Sequence, residues 1–193
     1  PNVESIKKFI SPDALWPYTD NGEWLLHASS PTMKPDESYA YRIQLMADQI
    51  KVLFGSVPDN LEEFSLLSQI SQAEAKKYFI ERFRIGKWRR TGIIWWNVVD
   101  GCPQFSDAVV DYYFCKKLAY NFIKRSQEMV CLMCDEPEGG NVSLVGSNDY
   151  PTDKQVSFKV TDLACGDIVW EGSVVLPADS SIRIASLDTR ERT

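Results

Sequence analysis

Trp95, Trp96, Asn97 and Asp100 make the one local cluster in this sequence suited to a ligand. Two indole rings can form an apolar platform, and the amide and carboxylate beside them offer hydrogen-bonding groups. The plainer account of the same residues is a core strand that contains aromatics, since aromatic side chains in strands mostly serve packing. The five cysteines offer a second candidate, the C-x-x-C pair Cys131 and Cys134. A zinc site would need another such pair or histidines, and the only histidine is His27. A thioredoxin-like site would need the pair at a helix N-terminus. Met129 to Cys134 reads instead as a strand, where alternation sends the two sulfurs to opposite faces. The thiols therefore read as structural, and nothing in the sequence asks for a metal or a cofactor.

The aromatic cluster is carried by the stretch from Arg89 to Asp111. Its run Gly92 to Val99 is continuous, apolar, β-branched and aromatic, which predicts a strand buried on both faces and ended by Asp100-Gly101. Helical patterns precede it. Val3 to Ile10 predicts a short helix with Ile6, Phe9 and Ile10 on one side, stopped by Ser11-Pro12-Asp13. Leu15 to Pro35 predicts a long irregular connection pinned to a core by Trp16, Trp24 and His27. Asp36 to Gly55 predicts a helix with Tyr41, Leu45, Ile50, Val52 and Leu53 as its apolar stripe and Gly55 as its stop. Asp59 to Ile85 predicts two helices meeting near Ser68 to Ser71, with Asp59 as cap and Glu62 three residues on. Phe114 to Arg125 predicts a further helix.

After Gln127 the pattern changes. Val130 to Asp135, Asn141 to Gly146, Gln155 to Thr161, Ile168 to Leu176 and Ser181 to Ala185 predict short strands, separated by turn-rich segments. The expected fold class is thus α/β plus all-β, with domains at 1–127 and 128–193. The net charge of -6 argues against a nucleic-acid or anionic-membrane surface, because both need a basic face. Lys76-Lys77, Lys87 to Arg90 and Lys116-Lys117 read as scattered, solvated charges. No apolar run is long enough to span a bilayer, and no signal peptide opens the chain.

Gly92-Ile93-Ile94-Trp95-Trp96-Asn97-Val98-Val99-Asp100, followed by Pro103, Ser106, Val110-Asp111-Tyr112 and Lys117-Leu118-Ala119-Tyr120, resembles the last barrel strand and helix of glycoside hydrolase family 2. The likeness is strongest to the β-mannosidase-like branch, with the β-galactosidase-like branch beside it. Pro1-Asn2-Val3-Glu4-Ser5 and Leu15-Trp16-Pro17 resemble the segment after that family's nucleophile strand. Ser68-Gln69, Gln72-Ala73 and Glu81-Arg82 resemble the helix before its last strand. Val99 departs from the pattern, which has Asn there.

The resemblance implies a C-terminal remnant of a (β/α)8 TIM barrel followed by an immunoglobulin-like β-sandwich. It implies part of a retaining exo-β-glycosidase that hydrolyses terminal non-reducing β-linked sugars, a β-mannoside or a β-galactoside. Both catalytic glutamates of the family lie N-terminal to the resembled stretch, so the chain alone is expected to be inactive. Trp96 is then the expected sugar platform, with Asn97 and Asp100 as weaker substrate-binding candidates and loop-ordering as their simpler role. A cis peptide is expected at Trp96-Asn97. The expected partners are a carbohydrate substrate, together with another copy of the chain or the remainder of the enzyme. The alternative is a non-catalytic carbohydrate-binding or interaction module whose site lies on the β-sandwich.

Overall fold

In the computed structural model, residues 1–28 and 41–188 are described. They form the helices α1 (Val3–Ile6), α2 (Gly22–Leu26), α3 (Tyr41–Phe54), α4 (Leu61–Ile85) and α5 (Leu118–Ser126). The strands are β1 (Val130–Cys134), β2 (Asn141–Asn148), β3 (Lys154–Thr161), β4 (Ile168–Leu176) and β5 (Ser180–Asp188). The fold is thus mixed, helices followed by antiparallel sheets. Packing gathers the chain into two compact units. The first comprises Pro1–Lys77 and Ile94–Lys124, and the second Tyr78–Ile93 and Arg125–Thr193.

The first unit is centred on Ile6, Trp24, Ile43, Ile50, Phe64 and Phe105, all fully buried. Each aliphatic side chain there contributes roughly 1.5–3 kcal/mol by leaving water. The loop with the tryptophans is pinned as its composition predicts. Trp24 stacks on Phe105 with centroids 4.2 Å apart, and Trp16 and Tyr18 both pack on Phe64. Within that loop α2 forms because the Asn21 side chain accepts from the Glu23 and Trp24 amides. Residues 29–35 of the loop, and the first five of the helix expected from Asp36, lie outside the described residues.

α3 buries Ile43, Ala47 and Ile50, so of the stripe its sequence suggests Ile50 is buried and Leu45 half-buried. Tyr41, Val52 and Leu53 are exposed, because a face with spacings of four and three turns only one set of positions inward. Gly55 stops the helix at φ +87°, a conformation glycine adopts without steric cost. α4 is one continuous helix rather than two. Ser68 and Ser71 bond back to the carbonyls of Ser65 and Leu67 at 3.0 and 2.9 Å, so these serines are accommodated without a break. Its cap is Asn60 and not Asp59: Asn60 Oδ1 accepts from the Glu63 amide at 2.9 Å. The helix expected from Phe114 begins instead at Leu118, because Phe114 sits at φ +62°, outside helical space.

The expected strand Gly92 to Val99 does not form: the run makes no ladder, and its backbone bends at Trp96 and Val98. Ile94 is 95% exposed and Trp96 74% exposed while Ile93 and Trp95 are half-buried, so one side of the run is bare rather than both being buried. A strand exists only where neighbouring backbone answers its N–H and C=O groups. Among the described residues that answer begins at Asn97, where the Val109 and Val110 amides donate to the Asn97 and Val98 carbonyls.

In the second unit the strands fall close to their predicted spans. β1, β2 and β5 make a three-stranded antiparallel sheet in the order β1-β2-β5, and β3 and β4 make an antiparallel pair. Phe158 and Leu176 are buried on one face of that pair, while Ser157 and Lys159 face outward. Gly146 lies so close to Leu176 and Ile184 that a Cβ there would meet Leu176 Cδ2 at 2.6 Å. Arg84 and Lys87 both bond to Asp149, at 3.0 and 2.6 Å. Lys87 therefore belongs to a charged network and not to a solvated face.

Candidate functional site

From Asn97 onward the run is sewn down by three backbone bonds. The Val109 amide donates to the Asn97 carbonyl at 3.2 Å, Val110 to Val98 at 2.9 Å, and Asp100 to Val110 at 3.1 Å. The peptide between Trp96 and Asn97 is cis, as the family resemblance implied. The carbonyl of that peptide, Trp96 O, accepts from Lys76 Nζ at 2.6 Å. The same ammonium lies 5.2 Å from the centre of the Trp95 ring. Burial pushes the Lys76 pKa down, with Asp107 acting in the opposite direction. The Trp96 indole thus projects into solvent from a backbone held at its own carbonyl and at the residues that follow.

Asp100 has a different position. It is 4% exposed. Its Oδ1 accepts from Gln104 Nε2 at 2.9 Å and from the Ser106 hydroxyl. Its Oδ2 faces Lys117 Nζ at 3.5 Å, and Lys117 also donates to the Ser106 carbonyl at 3.2 Å. Both carboxylate oxygens are engaged inside the loop, so Asp100 orders the 100–106 turn. Lys117 is 1% exposed. Burial lowers its pKa, and Asp100, first among the nearby carboxylates, works against that. Asn97 is half-buried, and its Oδ1 is enclosed without a hydrogen-bond partner. Of the three residues singled out in the sequence, Trp96 alone presents its side chain outward.

Two residues central to this arrangement do not stand out in the sequence. Lys117 and Lys76 each belong to a lysine pair whose pattern suggests solvated charge. The clue lay in the Lys117-Leu118-Ala119-Tyr120 segment, whose family likeness marks it as more than a surface turn. A cavity of about 200 Å³ adjoins them, lined in part by Arg42, Gln72, Lys76, Asp107 and Lys117. Arg42 pairs with Asp107 at 2.9 Å, and Gln72 Nε2 donates to the Asp107 carbonyl at 2.7 Å. His27 fastens the turn from its far side, with Nδ1 2.8 Å from the Pro103 carbonyl and its own carbonyl accepting from Phe105. Among the described residues, no group of three or more His, Cys, Asp or Glu could hold a metal ion. No helix among them is long and apolar enough to cross a membrane.

The fold of the chain is similar to that of parts of solved structures. The β-D-mannosidase of Dictyoglomus thermophilum matches 98% of the chain at 25% identity with a TM-score of 0.78. The exo-chitosanase of Amycolatopsis orientalis matches 96% of it at 20% identity with a TM-score of 0.68, a likeness of fold. This is the architecture of glycoside hydrolase family 2, in its C-terminal part. The family 2 match spans only 22% of the length of either protein. No family model and no curated protein sequence matches the chain.

Proposed function

We propose that the chain is the C-terminal part of a family 2 retaining exo-β-glycosidase. In this reading residues 1–127 complete a (β/α)8 barrel and residues 128–193 form an immunoglobulin-like β-sandwich. The whole enzyme removes terminal non-reducing β-linked sugars, a β-mannoside or a β-galactoside, from oligosaccharides or glycans. The observation that carries the proposal is the agreement with a β-D-mannosidase over 98% of the chain.

Residues that act in such barrels sit at strand C-termini and in the loops that follow. Trp96, at the end of the apolar run, then supplies the sugar platform, with Asn97 as polar neighbour and Asp100 as the residue that shapes the loop behind it. Retaining hydrolysis needs two carboxyls roughly 5–5.5 Å apart across the scissile bond. Neither glutamate motif of the family has a counterpart in this sequence, so the chain contributes sugar binding and not the bond-breaking groups. Its bare run pairs with the remainder of the enzyme or with a second copy. The sandwich-borne binding module draws less support: Trp170, its one tryptophan, is half-buried and edge-on to Phe158 at 5.1 Å.

The test is an assay of the purified chain on nitrophenyl β-mannoside and β-galactoside, with sugar binding followed alongside. We expect no turnover, and weak binding that Trp96→Ala removes. Turnover that survives repurification and disappears on mutating a carboxylate of this chain would overturn the proposal.

A further inference from the structure

Lys117 holds the segment that carries Trp96 through both of its nitrogens. Its backbone amide donates to the Val109 carbonyl at 2.8 Å, and the Val109 amide donates in turn to the Asn97 carbonyl at 3.2 Å. Its ammonium donates to Asp100 Oδ2 at 3.5 Å and to the Ser106 carbonyl at 3.2 Å. The arc from Asn97 to Asp100 is thus tied at both ends to one residue, just ahead of α5. Ser106 closes the circuit: its hydroxyl donates to Asp100 Oδ1 and accepts from the Ala108 amide at 3.1 Å. Asp100, Ala108, Val109 and Lys117 are all buried within the chain, so these contacts lie beneath its bare surfaces and not on them.

A buried ammonium is costly even after its surroundings relax. Burial accordingly lowers the Lys117 pKa, and Asp100, Asp111 and Asp107 work against that. An apolar side chain of similar length, such as methionine, would fill the same space with no charge to desolvate, provided Asp100 were neutral too. Stability therefore does not call for a lysine here. Geometry does. No apolar side chain can donate to both Asp100 and Ser106, and those two bonds fix where the turn closes on the segment. A ring presented from a segment already held in one path loses less freedom when a ligand stacks on it.

We propose that Lys117 is a positioning residue for sugar binding, which never meets the sugar but sets the path of residues 97–100 from which Trp96 presents its ring. The inference rests on the proposed function. Its test compares the full chain with two variants. Lys117→Met combined with Asp100→Asn removes both buried charges at once. Lys117→Arg keeps the charge and the donors, and the cavity of about 200 Å³ beside Lys117 leaves room for it. Saturation-transfer NMR follows the binding of methyl β-mannoside and methyl β-galactoside, and amide hydrogen exchange follows Val109 and Val110. The double variant should bind the preferred glycoside about tenfold more weakly. Its Val109 and Val110 amides should exchange about tenfold faster, with Ala47 and Ile50 in α3 unchanged. Lys117→Arg should stay within about twofold of the unaltered chain in both measurements. Binding that depends on Trp96 but is unchanged in the double variant overturns this inference alone. So does a normally folded Lys117→Arg variant that binds as weakly as the double variant. If the unaltered chain binds neither glycoside, the sugar platform falls, and the exchange rates alone decide whether Lys117 sets the path of the segment.

Discussion

Lys117 and Asp100 sit almost wholly out of water with 3.5 Å between them. Removing one partner of a buried pair leaves the other charge uncompensated, at about 3–5 kcal/mol. Lys117→Met should therefore shift the urea midpoint strongly downward. Lys117→Met combined with Asp100→Asn should recover a good part of the loss. If the double variant falls by the sum of the two singles, the charges do not act as a pair. The pairing was hidden in the sequence because adjacent residues of an irregular segment need not share a face. Lys116 and Lys117 look alike as letters, yet the first is exposed and the second buried. Trp96 was legible as a candidate platform for the opposite reason: its neighbours carry both an indole and polar groups, whatever the backbone does.

At the scale of elements, the helices and the sheet strands were readable because their determinants are local. Asn60 illustrates both the success and its limit. The capping box was foreseen one residue early, since Asp59 and Asn60 are both good caps with Glu62 and Glu63 as partners. Only the bond from the Glu63 amide to Asn60 Oδ1 decides between them. Asn60→Ala should cost about 1 kcal/mol and Asp59→Ala only a few tenths, measured by thermal unfolding. Equal effects would mean that the cap is shared. The run Gly92 to Val99 failed as a strand for a non-local reason. Its composition specifies an extended backbone that wants covering, but a ladder depends on segments far away in sequence, or in another molecule.

For the molecule as a whole, that bare run and the exposed faces of α3 and α4 leave Ile94, Val52, Leu66 and Phe79 in solvent. Several such side chains, each favouring burial by roughly 1.5–3 kcal/mol, make an isolated monomer unfavourable. Sedimentation equilibrium over a wide concentration range should show association, and Ile94→Lys should weaken it without lowering the unfolding midpoint. A strictly monomeric chain that also refuses a hydrophobic dye would count against this expectation. The passage from helices to antiparallel strands was legible from the change of pattern near Gln127. The grouping of Tyr78–Ile93 with the residues after Arg125 was not, because no local signal marks it. That interleaving reaches into the cloning bench. No single codon separates the gene into one piece per unit, since the chain passes from the first to the second at Lys77, returns at Ile94 and leaves again after Lys124. A plasmid encoding only the sheet strands would yield a product stripped of Arg84 and Lys87, the cations that hold Asp149. Making the second unit alone calls for joining its two stretches through a synthetic linker, and making the first calls for closing the gap between Lys77 and Ile94 in the same way.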